Sequence, residues 1–157
     1  MPVHLLGVDV GTQGSKGVLV TTDGRVVACV AVEHDVERRF SGWAEHDADA
    51  VWWGDFVRIT KTLLDRSAIA PASIAAIGVS ALTPNMLPLD ATGRPLRPAI
   101  LYDDTRAYAE LAWLRRELGW DRSMTARSPK FSSHSVPPKI LWYREHEPER
   151  WERTHKI

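Results

Sequence analysis

Apolar residues along this chain change period several times, and each change marks an element. His4 to Val10 is a short apolar run that reads as a buried strand. Ser15 to Thr21 and Arg25 to Glu33 read as two more strands. Asp23-Gly24 lies between them, a dipeptide suited to a hairpin because glycine tolerates positive φ. Tight turns between the three strands predict an antiparallel meander. Phe40 to Glu45 reads as a loop. Asp47 is placed to cap a helix reaching about Asp65, in which Trp52, Phe56, Ile59 and Leu63 fall on one face. Ile74 to Ser80 is a β-branched apolar run that predicts a central strand. Met86 to Leu89 and Pro98 to Tyr102 read as short strands around an Asp90-Ala91-Thr92-Gly93 turn. Ala107, Leu111, Leu114 and Leu118 mark an amphipathic helix closed by Gly119. Pro137 and Pro138 open a last helix containing Ile140, Leu141 and Trp142. This order predicts an α/β fold with a mixed sheet flanked by helices.

Composition narrows the function. The 157 residues suit one domain or part of a larger one, and 44% apolar content can build a core. Lys plus Arg is 20 and Asp plus Glu is 20, which argues against a nucleic-acid or membrane-surface partner. No apolar run approaches the roughly 20 residues that span a bilayer, and the N-terminus lacks the pattern of a signal peptide. The single cysteine, Cys29, lies in the apolar run Val26 to Val32 and reads as a core thiol of a cytoplasmic protein.

Candidate chemistry concentrates in Asp9-Val10-Gly11-Thr12-Gln13-Gly14-Ser15-Lys16, between the first two strands. Glycines let a backbone approach a polyphosphate closely with its amide hydrogens inward. The Thr12 hydroxyl can donate another hydrogen bond, and Lys16 can offset charge on a transferred phosphoryl group. Asp9, ending a strand, can hold Mg²⁺ through water. The competing reading is a glycine-rich hairpin with an exposed lysine. A Walker loop is excluded because no Gly-Lys-Ser/Thr opens a helix. A dinucleotide fingerprint is excluded because a strand follows.

Asp-x-Gly-Thr-x-x-x-Lys between the first strands is similar to the first phosphate motif of the actin-like ATPase superfamily, which includes sugar kinases, actins and chaperone ATPases. Gly42-Trp43-Ala44-Glu45-His46-Asp47 followed by Trp52-Trp53 resembles a stretch of the FGGY carbohydrate kinases. So do Ile77-Gly78-Val79-Ser80, the segment Leu89-Asp90 to Leu101, and Tyr102-Asp103-Asp104-Thr105-Arg106. Pro138-Lys139-Ile140-Leu141-Trp142 with His146-Glu147-Pro148 resembles a helix of the xylulose kinase branch. The resemblance runs in order along essentially the whole chain. It implies a ribonuclease H-like fold, the incomplete first lobe of a two-lobe kinase, occupying residues 1–157. It also implies ATP and Mg²⁺ as cofactors, with a sugar or polyol acceptor such as the ketose xylulose. By the same resemblance Asp9 organises Mg²⁺ and phosphate, while Gly11, Thr12, Gln13 and Lys16 line the phosphate loop. Tyr102, Asp104 and Arg106 fall at the sugar end, Tyr102 as an apolar wall. Thr83 and Pro84 stand where xylulose kinases place Met-His, so the expected sugar preference differs. The general base of the family comes from a later motif outside this sequence, which makes the chain alone an expected non-catalyst. A homodimeric parent stays open.

Other readings compete. Asp104 and Arg106 could be a cap pair for the following helix. Trp52, Trp113 and Trp142 read as core, while Trp43 stays open in its loop. His34, His46, His134 and His146 show no metal-ligand spacing and read as surface or core histidines. Arg115-Arg116 reads as a solvated face, and Ser132-Ser133 lack triad partners. A non-catalytic nucleotide-binding protein and a polymerising or chaperone ATPase remain alternatives, the second opposed by the motif at Tyr102 to Arg106.

Overall fold

The computed structural model describes residues 3–118 and 132–157, in two compact units. The first comprises Met1–Val36 and Ala48–Leu82, the second Glu37–Asp47 and Thr83–Ile157.

The first unit is a four-stranded mixed sheet with a helix on one face. Strands β1 (His4–Val10), β2 (Gly14–Thr21) and β3 (Val26–Glu33) form the expected antiparallel meander. Strand β5 (Ile74–Ala81) runs parallel to β1, giving the order β3-β2-β1-β5. Gly24 takes φ +88° in the β2–β3 turn, as the dipeptide there requires. Alternation decides the faces. Leu6, Val8 and Val10 of β1 and Leu19 of β2 point to one side, where Ile59 and Leu63 of helix α1 (Gly54–Ser67) meet them. Each such fully buried aliphatic chain contributes roughly 1.5–3 kcal/mol, enough to dock a helix of this length. A π-helical turn at Ala48–Trp53 leads directly into α1, so α1 proper starts later than a cap at Asp47 would place it.

Two expectations fail in this unit. Among the described residues β5 lies at the sheet edge rather than its centre, with Ile77 and Val79 54% and 62% exposed. Cys29 is exposed rather than a core thiol. In β3 the unbroken apolar run hides an alternation in which α1 covers one side, whereas β5 is exposed on both faces beyond Ile74.

In the second unit β4 (Glu45–His46) pairs with β6 (Ala99–Ile100). The expected hairpin shrinks to single bridges, Met86 to Ile100 and Leu89 to Pro95, around the turn in which Gly93 N–H donates to the Asp90 carbonyl. Helices α2 (Tyr108–Glu117), α3 (Val136–His146) and α4 (Pro148–Glu152) follow. Met86, Ile100, Ala107, Trp142 and Tyr143 form the core. Leu118 and Trp113 are exposed, against expectation, because the buried face of α2 is carried by Ala107, Glu110 and Leu111. The expected closing Gly119 lies outside the described residues.

Candidate phosphate-loop site and buried ion cluster

The β1–β2 turn is closed by a hydrogen bond from Gly11 N–H to the Gly14 carbonyl, 3.0 Å. Its glycines have little room. A Cβ on Gly11 would lie 2.7 Å from the Gly14 oxygen, and one on Gly14 would lie 2.8 Å from the Val32 oxygen. Strand register puts Asp9 beside Lys16 on β2 and beside Ser80 on β5. Asp9 and Lys16 are both exposed, on the sheet face opposite α1, and no ion pair joins them among the described residues. The structure thus brings together Asp9, Gly11, Gln13 and Lys16 around a cavity of about 390 Å³, which Glu33 also lines. Thr12, half-buried, sits at the tip of the same turn. Two carboxylates and one ammonium leave the lining net negative, so a polyphosphate seated there would need a divalent cation between itself and Asp9. An exposed carboxylate with room for water around it fits such an ion.

Sequence reasoning missed what stands behind this turn. His34 follows β3, and its Nδ1 is 2.7 Å from Asp55 Oδ2 while its Nε2 is 3.1 Å from the Gly11 carbonyl oxygen. The His34 backbone N–H donates to the Gln13 carbonyl at 3.3 Å. Asp55 is buried in the first turn of α1, four residues before Ile59. A carboxylate on the buried stripe of a helix was the available signal, because buried charge demands a partner.

The second unit holds the remaining expected residues. Asp104 is fully buried and accepts from Ala44 N–H at 2.6 Å and from Arg106 N–H at 3.0 Å. Arg106 Nη2 lies 2.7 Å from Asp104 Oδ2 and 2.8 Å from Glu45 Oε1. Its guanidinium sits 3.5 Å from the Trp43 ring centre and 4.9 Å from that of Trp142. Arg97, also buried, pairs with Glu45 and, at 2.6 Å, with Glu147. Burial pulls the Arg97 guanidinium below its ordinary value, against the pull of Glu147 and Glu45. The expected sugar-end pair is therefore an enclosed clasp here. Arg106 Nη1 is the one polar atom of the pair left without a hydrogen-bond partner. The capping reading of Asp104 is not what is seen: it receives the Arg106 N–H, but the cap position of α2 is Ala107, which has no side-chain cap hydrogen bond.

Tyr102 is half-buried, and its backbone N–H donates to Asn85 Oδ1 at 3.0 Å, which sets it beside the segment carrying Thr83 and Pro84. Both of those residues are exposed. Lys139 on α3 is buried, with Nζ donating to the carbonyls of Leu101 at 2.7 Å and Tyr102 at 3.0 Å. Burial lowers its pKa to about 8, partly opposed by Asp104. His146 meets Glu110 and Glu145 with ligand atoms within 4.8 Å of one another, an arrangement that spacing in the sequence did not suggest. Among the described residues no helix is long and apolar enough to cross a membrane.

Comparison with known proteins agrees with the fold. The chain is 33% identical over 154 residues to the xylulose kinase of Escherichia coli (strain K12), covering 97% of this chain and 30% of that protein. It is 33% identical over 126 residues to a glycerol kinase of Nostoc sp., covering 80% of this chain and 25% of that relative. The crystal structure of xylulose kinase from Rhodospirillum rubrum superposes with a TM-score of 0.85 at 26% identity, over 96% of this chain and 31% of that one. The chain thus spans about a third or less of the length of these relatives. The sequence profile of the N-terminal domain of the FGGY carbohydrate kinases matches residues 4–157, and the chain belongs to the FGGY family of carbohydrate kinases.

Proposed function

We propose that the protein encoded by the complete gene is an ATP-dependent carbohydrate kinase. It transfers the γ-phosphate to a hydroxyl of a sugar or polyol, with a ketose such as xylulose the first acceptor to test. The observation that carries this reading is the pairing of Asp9 with Lys16, side by side on an open sheet face at a glycine turn too tight for any Cβ. Gly11, Thr12, Gln13 and Lys16 would bind the phosphates, and Asp9 would hold Mg²⁺. Mg²⁺ supplies charge compensation for the phosphate oxygens when bound. Lys16 acts most strongly on the charge that develops during transfer, so its contribution belongs to kcat more than to KM. In the step itself an acceptor oxygen attacks the γ-phosphorus, the bond to the β–γ bridging oxygen breaks, and ADP leaves. The acceptor's proton passes to a carboxylate supplied from outside this sequence.

At the sugar end, Tyr102, Thr83 and Pro84 provide the reachable surface. Asp104 and Arg106 act from behind, through the Trp43 loop and Glu45. A proline in place of an imidazole removes a partner for a substrate hydroxyl, which is worth about 1–3 kcal/mol and shifts preference among sugars. The test is a panel of ketoses and polyols with MgATP on the complete gene product. Asp9→Ala should abolish transfer with the fold intact, and Lys16→Ala should lower kcat by about 10²–10³ on the scale of a lost transition-state charge contact. Turnover by Asp9→Ala at near-normal kcat would sink the reading. A preference for xylulose by several orders of magnitude would show the Thr83-Pro84 change to be neutral. The 157-residue chain alone should show no sugar-stimulated ADP release.

A further inference from the structure

The Gly11 carbonyl faces an imidazole, and that imidazole is itself held by a buried carboxylate on another element. We propose that His34, fixed by Asp55, is a positioning residue for the phosphate loop, setting the Gly11–Thr12 peptide so that the Thr12 amide hydrogen is aimed at bound phosphate. This rests on the kinase reading above.

The argument begins with the peptide plane. A trans peptide points its C=O and the following N–H in opposite directions. Anchoring the Gly11 oxygen on the His34 side therefore turns the Thr12 N–H to the other side of the plane. A glycine offers no side chain to hold that plane, and its φ and ψ are the freest in the chain. Two ties from the end of β3 replace the missing constraint: the ring bond to Gly11 at 3.1 Å and the backbone bond from His34 N–H to Gln13 at 3.3 Å.

Proton count decides how the ring serves. Both nitrogens face oxygen acceptors, a carbonyl at Nε2 and a carboxylate at Nδ1. A neutral imidazole beside an ionised Asp55 carries one proton for two contacts and leaves one unmade. Both contacts close only when the pair holds two protons, one of them on Nε2. A donor on a carbonyl also polarises the peptide, which strengthens its N–H as a donor on the far side. His34 and Asp55 are 8% and 5% exposed, so this polarisation acts with little screening by solvent.

The test uses His34→Phe, Asp55→Ala and Asp55→Asn in the complete gene product, with MgATP and the best acceptor from the panel. His34→Phe fills the space without either bond and should lower kcat at least tenfold and raise KM for MgATP, measured well below its melting temperature. Asp55→Ala should behave similarly. Asp55→Asn should be milder, because an amide N–H can donate to Nδ1 and leave the Nε2 proton for Gly11. Ring ¹⁵N spectra should show Nε2 of His34 protonated in the wild type and in Asp55→Asn. Wild-type kcat and KM in folded His34→Phe would overturn the proposal and leave the kinase reading standing. An Nε2 without a proton would overturn it as well, whatever the kinetics. A wild type that phosphorylates no sugar defeats the kinase reading itself and the positioning role with it.

Discussion

Arg106 reads differently in the structure than in the sequence, and the difference can be measured. Its side chain is 1% exposed, between Trp43 and Trp142, and its charge is met by Asp104 and Glu45, which are themselves buried. Removing one partner from such a set strands the others, at about 3–5 kcal/mol. Arg106→Met should therefore lower the unfolding free energy by that order in denaturant titration. A loss of sugar affinity with unchanged stability would mean that the guanidinium contacts ligand instead. Lys139 makes a prediction in pH. Its folded pKa of about 8 lies below the ordinary 10.5, so between these values the unfolded chain binds the extra proton. Stability should then rise as pH climbs from about 8, by roughly 3 kcal/mol in total if the whole shift is realised. Two acceptor carbonyls match the two hydrogens of the neutral amine, so deprotonation breaks no hydrogen bond. Tyr143, whose pKa burial raises, works in the opposite sense above pH 10, which makes pH 8 to 10 the clean window. Lys139→Met should flatten the rise in that window.

At the scale of elements, the docking of α1 on the meander depends on a position that the motif does not contain. A Cβ on Gly17 would overlap the Ile59 side chain and come within 3.1 Å of Leu63. Ile59 and Leu63 are 0% and 1% exposed and have nowhere to move. Overpacking of this kind costs about 1–3 kcal/mol, so Gly17→Ala should be destabilised by that amount in thermal melts. Because Gly17 follows Lys16 in β2, some loss of nucleotide affinity should accompany it. Equal stability to the wild type would show that α1 can lift off the sheet without cost. The meander was legible because tight turns leave few pairings open. The hairpin near Asp90 was legible only in outline: Met86 does bridge Ile100, but Leu89 N–H bonds to the distant Lys156 carbonyl and Ile100 also pairs with Glu45. Period alone cannot show which neighbour a short apolar run will choose.

For the molecule as a whole, the glycine turn between β1 and β2 was readable, and glycine, threonine, lysine and a strand-end aspartate within eight residues made it the candidate phosphate site. The His34–Asp55 tie was not, since its partners are 21 positions apart and meet only through the fold. Asp104 and Arg106 were singled out by pattern, but their burial was not legible, because sequence carries no measure of it. The open side of β5 has a further consequence. Ile77 and Val79 are exposed on an edge strand whose hydrogen-bonding groups face outward, a template for strand pairing. Light scattering on the 157-residue chain should show self-association that grows with concentration. Val79→Lys should reduce it, and a clean monomer at high concentration before any substitution would refute the expectation.

Cys29 is the only thiol in the sequence, and it projects from β3 on the same side as Lys16, two positions from its register partner Ala31. It lines, with Asp9 and Lys16, an open groove of about 850 Å³. Maleimide chemistry would therefore attach a single fluorophore at one defined place. On the kinase reading proposed above, its emission should follow nucleotide arriving at the neighbouring turn in real time, without any coupled assay and without engineering a residue into the chain.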